Sequence, residues 1–208
     1  MLLIERSVKD FAQLLASGAP APGGGAGAAL NGVVGIALTN MVGSLTMGKA
    51  KYAEHADFVA GLLKRAGEIQ SGFLSAIDAD AQAFDKMGAV FSMPKETDSD
   101  KVARKQAMQA ALKVCVVPPL DTMDLCIDAL ELTKQAIGKT NTTAASDLGV
   151  AAVSLKAALQ GAWLNVLINI GSIDDAAFAK ECRDRGEAIF RKALPLADEI
   201  YEAILKTV

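Results

Sequence analysis

Apolar residues recur at helical spacing along most of the chain. Phe73, Ile77, Phe84 and Met87 share one face at the period of an α-helix. Paired strands would appear as two runs of alternating apolar and polar residues joined by a hairpin turn. The sequence shows no such pattern. A chain of 208 residues has the size of one domain. The pattern therefore predicts an all-α, single-domain helical bundle of about seven helices that covers residues 1–208.

Breaks in this periodicity predict where the helices begin and end. Ser7 and Asp10 resemble a capping box at the start of the first helix. Pro118-Pro119 are expected to break the chain between two helices, and Pro195 to kink the last one. Further helices are predicted at about 25–48, 53–90, from 97 toward 115, from the proline pair to 137, 146–170, and from 174 onward.

The longest uncharged stretch runs from Phe11 to Gly48 and contains Pro22-Gly23-Gly24-Gly25. Glycines that open a helix leave backbone N–H groups accessible to an anion or to a flat ligand. The Gly- and Ala-rich residues behind them allow another helix to approach closely. The stretch is long enough to cross a membrane, but polar residues are spread through it, which favours a buried helix of a soluble bundle.

The net charge of the chain and its first residues indicate where the protein is located and which partners it has. Met1-Leu2-Leu3-Ile4 is followed by charges and not by the long apolar segment and cleavage site of a signal peptide. The formal net charge of −3 gives no basic footprint for nucleic acid. We therefore expect a cytoplasmic protein with neither a membrane nor a nucleic-acid partner.

The residues that most often bind metals are scarce. Cys115, Cys126 and Cys182 are widely spaced without a CxxC pair, and His55 is the single histidine. We therefore predict no metal site and no disulfide framework. The segment from Gly43 to Lys49 matches most of a P-loop, but it lacks the following Ser or Thr and the preceding strand, so we reject that interpretation.

Asp80 places a carboxylate on the apolar stripe of the third helix, while Asp78, Gln82 and Asp85 fall on the opposite face. Burial of an unpaired charge is costly, so Asp80 should be paired, protonated or functional. A structural pair with a lysine or a helix N-terminus and a role in catalysis both remain open.

The lysines after the second helix have two interpretations. If that helix continues, Lys51 shares a face with Asn40 and Ser44, whereas Lys49 points the other way. We therefore expect Lys51 and Tyr52 to lie nearer a ligand. The alternative is that both lysines are solvated at a helix C-terminus.

The sixth helix carries polar residues on a face of small residues. Asn165 and Asn169 form an i,i+4 pair that can orient one ligand or one neighbouring backbone group. Asp147 lies five turns away, about 27 Å along a straight helix, too far to hold the same small group within one chain. The alternatives are a helix N-cap at Ser146-Asp147 and helix–helix hydrogen bonds for the two asparagines.

Three segments together resemble the cyclodeaminase/cyclohydrolase family of folate one-carbon enzymes. The first is Pro20-Ala21-Pro22-Gly23-Gly24-Gly25. The second runs from Met41-Val42 through Leu45-Thr46 to Gly48-Lys49-Ala50-Lys51-Tyr52. The third contains Ser146-Asp147, Val150-Ala151, Asn165-Val166 and Asn169. One departure is Thr140-Asn141, where the family usually has Gly-Asn.

The resemblance implies a helical fold, a homodimer and a reaction at the one-carbon bridge between N5 and N10 of tetrahydrofolate. The expected activity is a methenyltetrahydrofolate cyclohydrolase. The alternatives are a formiminotetrahydrofolate cyclodeaminase and, in a different class, a non-catalytic folate-binding or helical interaction protein.

Hydration of the bridge needs a base, an acid and a group that tolerates the cation, but neither a metal nor a cofactor. We assign Asp80, Asp147 and Lys51 as catalytic residues. The predicted substrate-binding residues are Pro22, Gly23, Gly24, Gly25, Lys49, Tyr52, Asn165 and Asn169.

Overall fold

The computed structural model describes residues 2–207 and contains no strand among them. The helices are α1 (Val8–Leu15), α2 (Gly24–Ser44), α3 (Ala56–Phe91), α4 (Asp98–Ala136), α5 (Ala145–Ile170) and α6 (Ala176–Leu205). Short 3-10 helices lie at Leu3–Glu5, Ala50–His55 and Thr142–Ala144. The predicted all-α class is confirmed. So is the Ser7 cap of α1, whose hydroxyl accepts the Asp10 N–H at 3.1 Å.

Helix α2 forms the centre of the bundle and packs against α3, α4 and α5. It runs antiparallel to α3, because Gly25 lies beside Asp80 and Gly43 lies beside Leu62. A Cβ atom on Gly32 would be 2.4 Å from the Phe73 ring, so the absent side chain allows the two helices to meet. Helix α6 covers α4 and α5 from the outside. Fully buried side chains that fill the core include Ile36, Leu62, Ile69, Phe73, Met123, Leu130, Leu148, Leu155, Leu159 and Ile200.

Helix α4 is continuous through Pro118 and Pro119, so the prediction that these prolines separate two helices is wrong. Two predicted helices are therefore one, and the bundle has six α-helices among residues 2–207. A proline in a helix cannot donate to the carbonyl four residues earlier. For Pro119 that carbonyl belongs to Cys115, and the Asn169 amide of α5 donates to it at 3.1 Å instead. Hydrogen bonding from outside the helix thus replaces one of the two lost backbone bonds.

The end of α2 also differs from the prediction. The helix ends at Ser44 and not near 48. A turn follows, in which Gly48 has a φ of 75°, a conformation that glycine adopts without strain. Lys51 therefore does not continue the α2 face that carries Asn40 and Ser44, and the argument from that shared face is wrong.

The start of α5 is capped differently from the prediction. Ser146 and Asp147 lie inside the first turn and do not cap the helix. Asn141 instead begins the preceding 3-10 turn, with its side chain accepting the Thr143 N–H at 3.2 Å. The Asn141 N–H donates to Thr46 Oγ1 at 2.8 Å, which joins this segment to the end of α2.

Asp78, expected on the face of α3 opposite the apolar stripe, is buried. Its carboxylate accepts the Leu3 N–H at 2.6 Å, because the residues before α1 fold over this part of α3. Phe84, expected on the buried stripe, is 38% exposed. The helical period was correct, but the positions of neighbouring segments decide which side of α3 is covered.

Helix α2, with Leu45 directly after it, and helix α5 expose a set of apolar side chains, here called the α2/α5 face. Its members are Val34, Met41, Leu45, Val150, Val153, Leu164 and Ile168. By length and composition, Gly24–Ser44 and Thr142–Ile170 could each cross a membrane. The most apolar windows of these segments are 50% and 39% buried in the bundle, and core helices of soluble proteins pass the same test.

Candidate active site

Asp80 reaches from α3 to the glycine-rich start of α2. Its Oδ2 atom accepts the Ala26 N–H at 2.9 Å. A Cβ atom on Gly25 would be 2.1 Å from Asp80 Oδ1, closer than any real contact. Gly25 therefore allows the carboxylate to approach the exposed N–H groups of the helix start, where a negative charge is stabilised.

The surroundings of Asp80 influence its charge in opposite directions. Burial raises the pKa of this carboxyl above its usual range, and the Ala26 N–H lowers it in part. No lysine, arginine or histidine lies within salt-bridge distance of Asp80 in the described part of the chain. Of the structural partners considered from sequence, the helix N-terminus is present and the lysine is not. The resulting carboxyl can exchange a proton nearer to neutral pH than an exposed aspartate can.

Helices α4 and α5 complete the surroundings of Asp80. The buried Cys115 thiol donates to the Ala83 carbonyl at 3.4 Å, one turn of α3 from Asp80. Burial and then the Asp80 charge raise the pKa of this thiol, which keeps it protonated. Asn165 lies against the start of α2, with its Nδ2 atom 3.3 Å from where a Cβ atom on Gly24 would be.

Asn165 donates to the Gly161 carbonyl at 2.8 Å. Its side-chain oxygen has no hydrogen-bond partner within residues 2–207, so it is available to a ligand. The group of Pro22, Gly23, Gly24, Gly25, Asp80, Cys115, Asn165 and Asn169 is called here the carboxylate end.

A second group lies at the opposite end of α2. The Tyr52 phenol accepts the Thr142 N–H at 3.0 Å and lies 3.3 Å from its hydroxyl. These Thr142 contacts lower the pKa of Tyr52, and the neighbouring Lys51 contributes in the same direction. Lys51 Nζ is 5.3 Å from the centre of the Tyr52 ring and 3.5 Å from Thr142 Oγ1. Lys49 and Tyr52 line a cavity of about 170 Å³.

Asp147 lies in the first turn of α5, which follows the short 3-10 helix that Thr142 begins. The set of Lys49, Lys51, Tyr52, Thr142 and Asp147 is called here the tyrosine end.

The predicted site residues are thus divided between two places in one chain. Helix α2 separates them with its 21 residues, or about 30 Å at the rise of an α-helix. The structure brings Asp80 and Asn165 together with the glycines, and Lys51 together with Tyr52, but it does not join the two groups.

Two residues of these groups, Thr142 and Cys115, were not predicted as site residues from the sequence. Thr142 is in a polar turn that looked like a simple connection, and its signal was the capping residue Asn141 beside it. Cys115 precedes Pro119 by one helical turn, which marks its carbonyl as needing another donor.

The fold and the carboxylate end define an all-helical, single-domain protein with a partly buried carboxylate at a glycine-rich helix start. The chain belongs to the formiminotransferase-cyclodeaminase family, whose model matches residues 7–188. This finding confirms the resemblance drawn from the sequence motifs.

Individual relatives carry two different names. The methenyltetrahydrofolate cyclohydrolase of Methylorubrum extorquens is 37% identical over 97% of this chain and 97% of its own length. The formimidoyltransferase-cyclodeaminase of Sus scrofa is 33% identical over 92% of this chain, but the match covers only 35% of that longer protein. The structure of formiminotetrahydrofolate cyclodeaminase from Thermotoga maritima matches with a TM-score of 0.82 and 26% identity, covering 98% of this chain and 96% of that one.

Proposed function

We propose that this protein is a methenyltetrahydrofolate cyclohydrolase. It adds water to 5,10-methenyltetrahydrofolate and yields 10-formyltetrahydrofolate, reversibly, in one-carbon metabolism. The observation that carries this proposal is the 37% identity to the Methylorubrum extorquens cyclohydrolase, which extends over 97% of both chains. The match therefore covers the whole chain and is not limited to a shared module.

The carboxylate end supplies a base and an acid for this reaction. The Asp80 carboxylate accepts a proton from water as the water oxygen bonds to the cationic bridge carbon. The protonated Asp80 then donates to N5 as the bond between N5 and the bridge carbon breaks. The hydroxyl proton of the adduct leaves to solvent as the formyl group forms on N10, so one proton is released overall. Before the attack, the negative charge of Asp80 also stabilises the cationic substrate bound beside it.

The substrate-binding groups are proposed from position. The glycine-rich start of α2 allows the flat pterin to lie against backbone, and the free Asn165 oxygen can accept a hydrogen bond from it. Lys49 is suited to the carboxylates of the folate glutamate, and Lys51 and Asp147 remain the other proposed catalytic residues. The mechanism needs neither a metal nor a cofactor, and we propose a cytoplasmic enzyme without membrane or nucleic-acid partners.

Formiminotetrahydrofolate cyclodeaminase is the second candidate, because a protein of that name shares the fold along nearly its entire length. One assay separates the two activities. The purified protein is incubated with methenyltetrahydrofolate and, separately, with formiminotetrahydrofolate. Loss of the methenyl absorbance without ammonia release from the second substrate supports the cyclohydrolase. Ammonia release with slow methenyl hydrolysis favours the cyclodeaminase, and no turnover of either compound favours a non-catalytic folate-binding protein.

We further propose a homodimer that completes two active sites. The α2/α5 face exposes Leu164 (66%) and Ile168 (72%) near the carboxylate end, and Val150 (52%) and Val153 (51%) near the tyrosine end. A two-fold axis perpendicular to these helices pairs the face with itself in reverse direction. Each carboxylate end then meets the tyrosine end of the other subunit. The arrangement removes a separation of about 30 Å, which one chain alone does not bridge.

Subunit mixing tests this arrangement independently of the substrate. Asp80→Asn and Lys51→Met chains are unfolded together and refolded, so that half of the dimers contain one chain of each kind. A shared site leaves one of the two sites intact in each mixed dimer and restores about a quarter of wild-type activity. Asp147→Asn replaces Lys51→Met in a second mixture. Absence of recovery in both mixtures, with each variant folded and inactive alone, would reject the shared site but not the cyclohydrolase reaction.

A further inference from the structure

The proline pair of α4 lies next to the carboxylate end and changes the hydrogen bonding there. Pro119 has no N–H, so the Cys115 carbonyl lacks its usual donor within the helix. A buried carbonyl without a donor is costly. The Asn169 side chain crosses from α5 and donates to this carbonyl at 3.1 Å. The Asn169 side chain of α5 therefore supplies the donor that the backbone of α4 lacks at the Cys115 carbonyl.

The same turn of α4 also contacts α3. The Cys115 thiol donates to the Ala83 carbonyl at 3.4 Å, and the thiol lies close enough to Asp80 for the aspartate charge to raise its pKa. Asp80 in turn holds the Ala26 N–H of α2 at 2.9 Å. Hydrogen bonds thus run from Asn169 to Cys115 and from Cys115 to Ala83, one turn of α3 from Asp80, and Asp80 bonds the start of α2, so that four helices are joined.

We propose that Asn169 is a positioning residue, which holds the Cys115 turn of α4 against α3, one turn from Asp80, by supplying the hydrogen bond that Pro119 removes. Its amide N–H is used on the protein itself and does not bind the substrate. The neighbouring Asn165 differs, because its amide donates to the Gly161 carbonyl within α5 and its side chain lies against Gly24 at the start of α2. Two asparagines one turn apart on one helix therefore have separate tasks.

Pro119→Ala provides a specific test, because alanine restores the backbone N–H opposite the Cys115 carbonyl. In the wild-type background, Asn169→Ala is expected to lower kcat about tenfold, with KM nearly unchanged, because the carbonyl loses its donor. In the Pro119→Ala background the same change is expected to alter kcat less than about twofold. An equal loss in both backgrounds, or a rise in KM alone, would overturn the proposal in favour of direct substrate contact.

Thiol labelling gives a second readout that does not depend on the proposed reaction. All three cysteines are buried and free, and mass spectrometry distinguishes their labelled peptides. Asn169→Ala is expected to speed labelling of Cys115 about tenfold by loosening its turn. Cys126 lies deeper on the same helix, at 0% exposure, and is the internal control that should not change. Unchanged labelling of Cys115 in folded Asn169→Ala protein contradicts the proposal even if both kinetic variants are inactive.

Discussion

At the scale of single residues, Asp80 is held between two opposing effects. Removal from water destabilises its charged form, and the N–H groups at the start of α2 stabilise it. Burial has the larger effect, so the carboxyl is a stronger base than an exposed aspartate. A residue selected only for stability would gain from the loss of this charge. The cost is consistent with a role in proton transfer.

Replacement of Asp80 by asparagine separates these effects. The amide oxygen can still accept the Ala26 N–H, but the variant cannot take a proton from water. We expect turnover to fall by roughly 10²–10⁴-fold, the range for loss of one acid–base group. The melting temperature should stay equal or rise, because the charge of a partly buried group is removed. Turnover and melting temperature are measured on one preparation, and a lower melting temperature with normal turnover of the folded protein would assign Asp80 to structure.

The pH dependence gives an independent check on Asp80. Because its folded pKa is raised above the ordinary value of 3.8, protonation favours the folded state. This contribution to stability is fully present below the ordinary value and is lost as pH rises through the raised pKa. The acid limb of kcat/KM should lie above the ordinary value for the same reason. Asp80→Asn should remove this part of the pH dependence of the melting temperature, which thermal melts of both proteins across the acid range can test.

Lys51 and Lys49 are predicted to differ in importance. The original argument from a shared helix face does not hold, but Lys51 contacts both the Tyr52 ring and Thr142. We therefore expect Lys51→Met to reduce kcat/KM at least about tenfold, and Lys49→Met to reduce it less. Steady-state measurement of kcat/KM for the two variants tests this order. The reverse order would move the assignment to Lys49, which lines the adjacent cavity.

At the scale of helices, α2 shows what the sequence could predict. Its small residues indicated close approach, and Asp80 on an apolar stripe indicated a carboxylate that needs a partner. That the partner is the start of α2 could not be predicted, since spacing along one helix does not identify the neighbour. The prediction that Pro118 and Pro119 separate two helices was wrong for a related reason. Local propensity favours a break, but the Asn169 hydrogen bond from another helix supports α4 through Pro119.

Gly25→Ala tests the close approach of α2 to α3. The new Cβ atom would lie 2.1 Å from Asp80 Oδ1, so the carboxylate must move. We expect at least about a 100-fold loss of turnover, since small displacements of a catalytic group have this effect. Gly32→Ala meets the Phe73 ring at 2.4 Å, away from the carboxylate end, and should lower stability with little effect on kcat.

Gly61→Ala is the control for the two glycine substitutions, because it adds a Cβ atom where no neighbour is displaced. Gly61 is exposed on α3 with no neighbouring atom within 4 Å of an added Cβ. Alanine there should stabilise the helix by about 0.5–1 kcal/mol without altering turnover. If Gly25→Ala behaves like this control in melts and kinetics, the close approach has no catalytic importance.

At the scale of the whole molecule, the proposed dimer makes activity depend on the α2/α5 face. Ile168→Glu should place a charge inside the proposed dimer interface and give a monomer with little activity. Val102, 58% exposed on α4 and outside this face, is the matched control, and Val102→Glu should change neither property. Light scattering at micromolar concentration measures the mass of each variant. A monomeric wild-type protein with full activity would contradict the shared site.

The tight packing of α2 also has an evolutionary consequence. Gly25, Gly32 and Gly35 each face a different neighbour, which are Asp80, Phe73 and Leu155. A larger residue at any of these positions can be accepted only if its own neighbour changes at the same time. Divergence along α2 should therefore proceed through paired substitutions on separate helices, and single steps should be eliminated by selection. The centre of the bundle would then drift more slowly than its margins, and chimeras that exchange α2 alone between distant relatives should fail.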